Sequence, residues 1–133
     1  MSEVATTLQL LELDKTVTME DLVSSAAIVP EKFSTGQNQM LNFARAVIGK
    51  PSVLLLDEST SDIDPRNERI IYDYLRSHAQ QMSVVSIIHK TEHIREYDKV
   101  YVMKQGTLQL AWDSRAQGPI GSESLSNVLK ELS

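Results

Sequence analysis

Val53-Leu54-Leu55-Leu56-Asp57-Glu58 is a short, unbroken apolar run that ends on two adjacent carboxylates. It is too short for a helix and rich in residues that suit a strand buried on both faces of a parallel sheet. A second run of the same kind, Val84 to Ile88, follows about one helix length later. Between them, Asp64 can cap a helix, Pro65 suits its first turn, and Ile70, Ile71, Tyr74 and Leu75 supply an inward stripe. Strand, helix and strand make a β-α-β crossover. The fold class that follows is α/β.

Working outward on the N-terminal side, Met40, Leu41, Ala44, Val47 and Ile48 recur at helical spacing, and Gly49 and Pro51 end that helix. Ser34 is its natural N-cap, with Gln37 three residues later completing a capping box. The first thirty residues read as two short helices, with a greasy patch at Leu8, Leu10, Leu11 and Leu13 and an N-cap at Thr18. On the C-terminal side, residues 91–97 read as a short turn or helix. Lys99 to Lys104 alternates, turns at Gln105-Gly106 and returns as Thr107 to Ala111, the pattern of a hairpin. Gly118, Pro119 and Gly121 mark a loop before a closing helix carrying Leu125, Val128, Leu129 and Leu132.

Composition narrows the function. The chain has 133 residues, 41% hydrophobic and 23% charged, an ordinary globular balance. A net charge of −5 argues against a surface built to neutralise nucleic-acid phosphates. With no cysteine, there is no disulfide framework and no thiolate metal site. No stretch approaches the roughly 20 apolar residues that span a bilayer. The start carries no secretory signal pattern.

Chemistry gathers at element ends. In open α/β sheets ligands meet the carboxyl ends of strands, where Asp57 and Glu58 fall. Taken alone, Asp57-Glu58-Ser59-Thr60 reads equally as a solvated turn, and His89 as a turn residue. Ser34 and Gly36 at a helix start are a capped helix, and also an anion site, because first-turn amides are unpaired and the dipole is positive there. His78 reads as an exposed helix residue, and the pair His89 and His93 lacks the third ligand a zinc site needs.

These motifs together resemble the C-terminal half of a nucleotide-binding domain of the ATP-binding cassette (ABC) transporter family. Phe33-Ser34-Thr35-Gly36-Gln37 resembles the signature motif, Val53 to Glu58 the Walker B motif, Ser59 to Asp64 the D-loop, and His89 the switch histidine. The Phe-Ser-x-Gly-Gln form is most similar to the multidrug-resistance-associated (C-type) exporters. The resemblance covers roughly residues 5–112 and implies a truncated P-loop NTPase fold, with parallel core strands, a helical signature segment and a C-terminal hairpin. Within it, 1–32 is a remnant of the helical subdomain, 33–112 the signature to post-switch core, and 113–133 a C-terminal loop and helix.

What the resemblance implies for the site is specific. Asp57 would hold Mg²⁺, Glu58 would be the general base, and His89 would contact the γ-phosphate. Ser34, Thr35, Gly36 and Gln37 would address ATP held by a second ABC nucleotide-binding domain, and Asp64 would bridge the two. Transmembrane domains would be further partners and nucleic acid would not, with the chain at the cytoplasmic face of a membrane. Two departures stand out. Thr35 takes the place of the usual glycine, where a β-branched residue disfavours positive φ. The 133 residues contain no Gly-x-x-x-x-Gly-Lys-Ser/Thr loop, and the resemblance puts that loop before residue 1. Two alternatives remain open: a stand-alone, non-catalytic module lending its signature face to a partner ATPase, and a soluble, non-transport ABC ATPase.

Overall fold

A computed structural model of the chain describes residues 2–15, 17, 33–57, 63–88 and 91–131. The expected second helix with its cap at Thr18, together with Leu132, lies outside them. The chain divides into two compact units, Met1–Ile87 and Ile88–Ser133.

The first unit holds α1 (Glu3–Leu10), α2 (Thr35–Ile48), β1 (Val53–Asp57), α3 (Pro65–Ser77) and β2 (Ser83–Ile87). Helix α1 starts at Ser2, whose hydroxyl accepts from Ala5 N. It stops in a Schellman motif, in which Leu13 N donates to Leu8 O at 2.7 Å and Glu12 N to Gln9 O at 3.0 Å. Glu12 takes the left-handed conformation (φ 54°) that glycine usually supplies there, and its carboxylate pairs with Arg66. Leu8, Leu11 and Leu13 are buried as expected, whereas Leu10 faces solvent. Helix α2 buries Met40, Phe43, Ala44 and Val47. It packs on α1 and α3, and Phe43 meets Tyr74 edge-on at 5.7 Å. Burial pushes the Tyr74 phenol up.

β1 and β2 pair in parallel, from Val53 opposite Ser83 to Asp57 opposite Ile87. The β-α-β crossover is therefore as expected, but burial on both strand faces is not. Along β1 buried and exposed residues alternate. Leu54 and Leu56 are buried, while Leu55 is 74% exposed, beside exposed Val53, Val85 and Ile87. The reason is one of layers: an all-apolar strand is written for cover on two sides, and among the described residues only one side is covered.

The second unit begins with a 3₁₀ turn (Thr91–Glu96) and continues into β3 (Lys99–Lys104) and β4 (Thr107–Asp113). The hairpin turns at Gln105 (φ 49°) and Gly106 (φ 78°), two successive left-handed residues that match strand twist. A bulge interrupts the ladder between Val100 and Tyr101. Short α4 (Ser114–Gln117) and α5 (Ser122–Glu131) close the unit. Its core is Ile94, Trp112 and Val128, with Ile88, Val100, Ala111, Ile120, Leu125 and Leu129 around it.

Asp113 locks the corner where β4 becomes α4. Its carboxylate meets Lys99 Nζ at 3.1 Å and accepts from Arg115 N at 2.9 Å. The Lys99 ammonium first, and the Arg115 amide next, hold the Asp113 carboxyl below the usual carboxylate range. A depressed folded-state value means the contribution is present above the ordinary aspartate range and is lost as pH falls through the lowered value. The second unit is expected to lose urea resistance below about pH 4, and Asp113→Asn to flatten that acid limb. An unchanged acid limb in the variant counts against this lock.

Candidate functional site

The N-terminus of α2 is built by its own side chains. Ser34 is extended (φ −64°, ψ 161°) and caps the helix. Gln37 N donates to Ser34 Oγ at 3.2 Å, and Ser34 N donates to Gln37 Oε1 at 2.9 Å. Asn38 N donates to Ser34 O at 2.9 Å. The capping box thus absorbs the amides of Ser34 and Gln37, the first backbone bond of the helix takes that of Asn38, and the first-turn amides of Thr35 and Gly36 remain for a ligand or water. Ser34 and Thr35 are exposed, Gly36 and Gln37 half-buried. Thr35 does not occupy the left-handed region. The β-branch that looked costly therefore meets no backbone strain in this conformation.

Ser34→Ala removes an acceptor for one helical amide. It is expected to cost about 1 kcal/mol of stability, read as a lower urea midpoint, whereas Ser34→Asp, an equally good cap, is expected to restore it. Loss in both variants would mean that the hydroxyl does something other than cap.

Asp57 ends β1 at its carboxyl edge, exposed. Glu58 and His89, the expected general base and γ-phosphate contact, lie outside the described residues, as do the D-loop positions 59–62. Among the described residues no group of three or more His, Asp or Glu side chains is arranged to hold a metal ion. A single carboxylate suits Mg²⁺ nonetheless, since that ion keeps several waters and takes phosphate oxygens as further ligands.

Asp64 caps α3 with both oxygens engaged. Oδ1 accepts from Arg66 N and Asn67 N, each at 3.1 Å, and Oδ2 accepts from the Asn67 side chain at 2.7 Å. Its local role is complete. Three of its roughly four acceptor sites are used, so a contact across an interface would take the remaining lone pair of Oδ2 or the backbone.

His78 differs from its sequence reading. It is half-buried as the C-cap of α3, stacked on Tyr74 with ring centroids 4.1 Å apart. Its Nδ1 lies 2.9 Å from Tyr74 O and from Ser77 Oγ. The stacking partner lies one helical turn earlier, an i, i+4 pair visible in the sequence as Tyr74 and His78. Sequence reasoning also missed a groove beside Trp112 in the second unit. Its signal was a lone tryptophan at the end of an alternating strand.

The described residues form an α/β arrangement with a parallel strand pair, a carboxylate at a strand end and a capped helix N-terminus. Comparison with known proteins specifies it further. A family model described as ABC transporter matches residues 2–61. The chain is 40% identical over 76 residues to the ABC multidrug transporter MDR2 of Trichophyton tonsurans, covering 57% of this chain and 6% of that protein. It is 41% identical over 75 residues to the ABC transporter ecdL of Aspergillus rugulosus, covering 56% and 5%. The matches therefore span about one twentieth of these relatives' own length. In fold, it resembles a bacterial Atm1-family ABC exporter solved with ATP bound, with a TM-score of 0.68 and 24% identity, over 98% of this chain and 23% of the other. The relatives of this chain are ABC transporters, and its fold is that of their nucleotide-binding domains. No helix among the described residues is long and apolar enough to cross a membrane.

Proposed function

We propose that the chain is the C-terminal part of the ATP-binding domain of an ABC exporter of the C type, coupling ATP binding and hydrolysis to transport across a membrane. The observation that carries this reading is the closed capping box at Ser34 and Gln37, which leaves the Thr35 and Gly36 amides for an anion at a helix end of positive dipole. In this reading Ser34, Thr35, Gly36 and Gln37 face the nucleotide held by a second such domain. Asp57 ligates Mg²⁺. Glu58 orients and polarises the attacking water, and His89 donates to the γ-phosphate. Asp64 spans the interface between the two domains through whatever its cap leaves free. When bound, ATP supplies the reactive phosphoryl group and Mg²⁺ neutralises charge on its oxygens. Transmembrane domains are the remaining partners, and the chain works at the cytoplasmic face of the membrane.

A second reading is a stand-alone, non-catalytic module that only lends its signature face to a partner ATPase. An immunoblot raised against this chain separates the two. A band several times larger than 14.9 kDa supports the transporter, and one at that mass supports the module.

A further inference from the structure

Three residues other than glycine hold a positive φ among the described residues. Gln105 belongs to the hairpin turn. The other two, Glu12 (φ 54°) and Lys50 (φ 46°), sit just past helix ends, and each carries an ion pair to another helix. Glu12 pairs with Arg66 in the first turn of α3, and Lys50 Nζ lies 3.1 Å from Glu3 Oε1 in the first turn of α1. The charges of the second pair suit the helix dipoles they adjoin, with a cation beyond the C-terminus of α2 and an anion at the N-terminus of α1. The first pair runs against local preference on both sides. Glu12 takes a left-handed backbone that glycine adopts at less cost, and Arg66 puts a cation at the positive end of α3. Both side chains are exposed, where an ion pair returns little stability. Strain that stability does not explain points to a role in the site.

Arg66 is held at two points. Its guanidinium meets the Glu12 carboxylate, and its backbone N donates to Asp64 Oδ1 at 3.1 Å. A carboxylate at the end of α1 is thereby joined, through one residue, to the cap of α3. Helices α1 and α3 each pack on α2, whose N-terminus carries Ser34 to Gln37. The Glu12–Arg66 pair closes the third side of this triangle, so the Asp64 cap cannot slide over α2 without breaking the pair or dragging the end of α1. The Lys50–Glu3 pair joins α1 to the other end of α2, beyond Gly49, and does not involve Asp64.

We propose that Glu12 and Arg66 are positioning residues, a role that rests on the nucleotide reading above. Their ion pair holds the Asp64 cap in fixed register with the Ser34 end of α2, so that the two meet a second nucleotide-binding domain together. Neither residue touches nucleotide in this role. Each acts through Asp64.

Glu12→Gly separates positioning from stability. It relieves the left-handed backbone as it removes the pair, so the urea midpoint of the chain is expected to stay level or rise. In a protein that joins this segment to a phosphate-binding loop, the same variant is expected to weaken ATP-driven association of two nucleotide-binding domains about two- to fivefold, the span an exposed ion pair can transmit. ATP binding to the single domain is expected to be unchanged. Light scattering against ATP concentration reads the first, and a fluorescent nucleotide at dilute protein the second. Arg66→Gln should match Glu12→Gly, and the two combined should cost no more than either alone, because they break one interaction. Lys50→Gly relieves the same kind of backbone and deletes the pair at the far end of α2, and it is expected to leave association intact. Wild-type association in Glu12→Gly overturns the proposal, and so does a lowered urea midpoint with intact association, which marks a merely structural pair. Equal loss in Lys50→Gly, or additive losses in the double variant, overturns it as well. Absence of ATP-driven association in the unmodified protein overturns the nucleotide reading itself and the proposal with it, a result distinct from each of the others.

Discussion

Glu58→Gln, placed in a protein that joins this segment to a phosphate-binding loop, is expected to lower ATP turnover by about 10²–10⁴-fold while nucleotide binding persists. The amide keeps the size and a hydrogen-bonding oxygen of the carboxylate but cannot take a proton from water. Neighbouring Asp57 has a different proposed role. Asp57→Asn is expected to weaken Mg²⁺-dependent nucleotide binding itself, because in the proposed reading its charge faces the ion rather than the water. Steady-state turnover measured beside nucleotide binding, with and without Mg²⁺, separates the two variants. Full turnover in Glu58→Gln would remove Glu58 from the chemistry. The 133-residue chain alone is expected to turn over no ATP, since positioning of the phosphates supplies most of phosphoryl-transfer catalysis and its sequence has no loop for that task.

The second large effect concerns the bare side of the parallel pair. Val53, Leu55, Val85 and Ile87 lie exposed on adjacent strands. Burying one such side chain is worth about 1.5–3 kcal/mol, so a contiguous patch drives association whenever two copies meet. The isolated chain is expected to self-associate at micromolar concentration. Leu55→Lys combined with Val85→Thr is expected to return it to monomer in light scattering, with little change in melting temperature because no buried contact is lost. A monodisperse wild-type monomer with a cooperative thermal transition would sink this expectation. The hairpin shows the same feature, with exposed Tyr101, Met103, Leu108 and Leu110.

Much of the fold was legible because its signals are local. The cap at Ser34 with Gln37, the cap at Asp64 with Pro65, and the Gln105-Gly106 turn are each written within four residues, and each is where the spacing put it. The apolar runs named the two parallel strands but misstated their surroundings. A strand sequence records the cover it is designed for, not the cover present. His78 was misread because stacking and a C-cap contact depend on the rotamer beside Tyr74, which periodicity alone does not specify. The site was legible only as separate pieces. Ser34 to Gln37, Asp57 and Asp64 sit at element ends as expected, and Glu58 and His89 fall outside the described residues. In the proposed reading, what joins such pieces into one centre is the relation between strand ends and a second domain, information that no single short motif contains.

The capping box at Ser34 also bears on timing. Because Ser34 and Gln37 close it with the chain's own atoms, the helix end has its shape before any anion arrives. A site shaped in advance loses little conformational entropy on engagement. In the proposed reading the signature face is a rigid socket, and the expected slow step in meeting a nucleotide is the approach of the two domains, not the folding of a loop around phosphate.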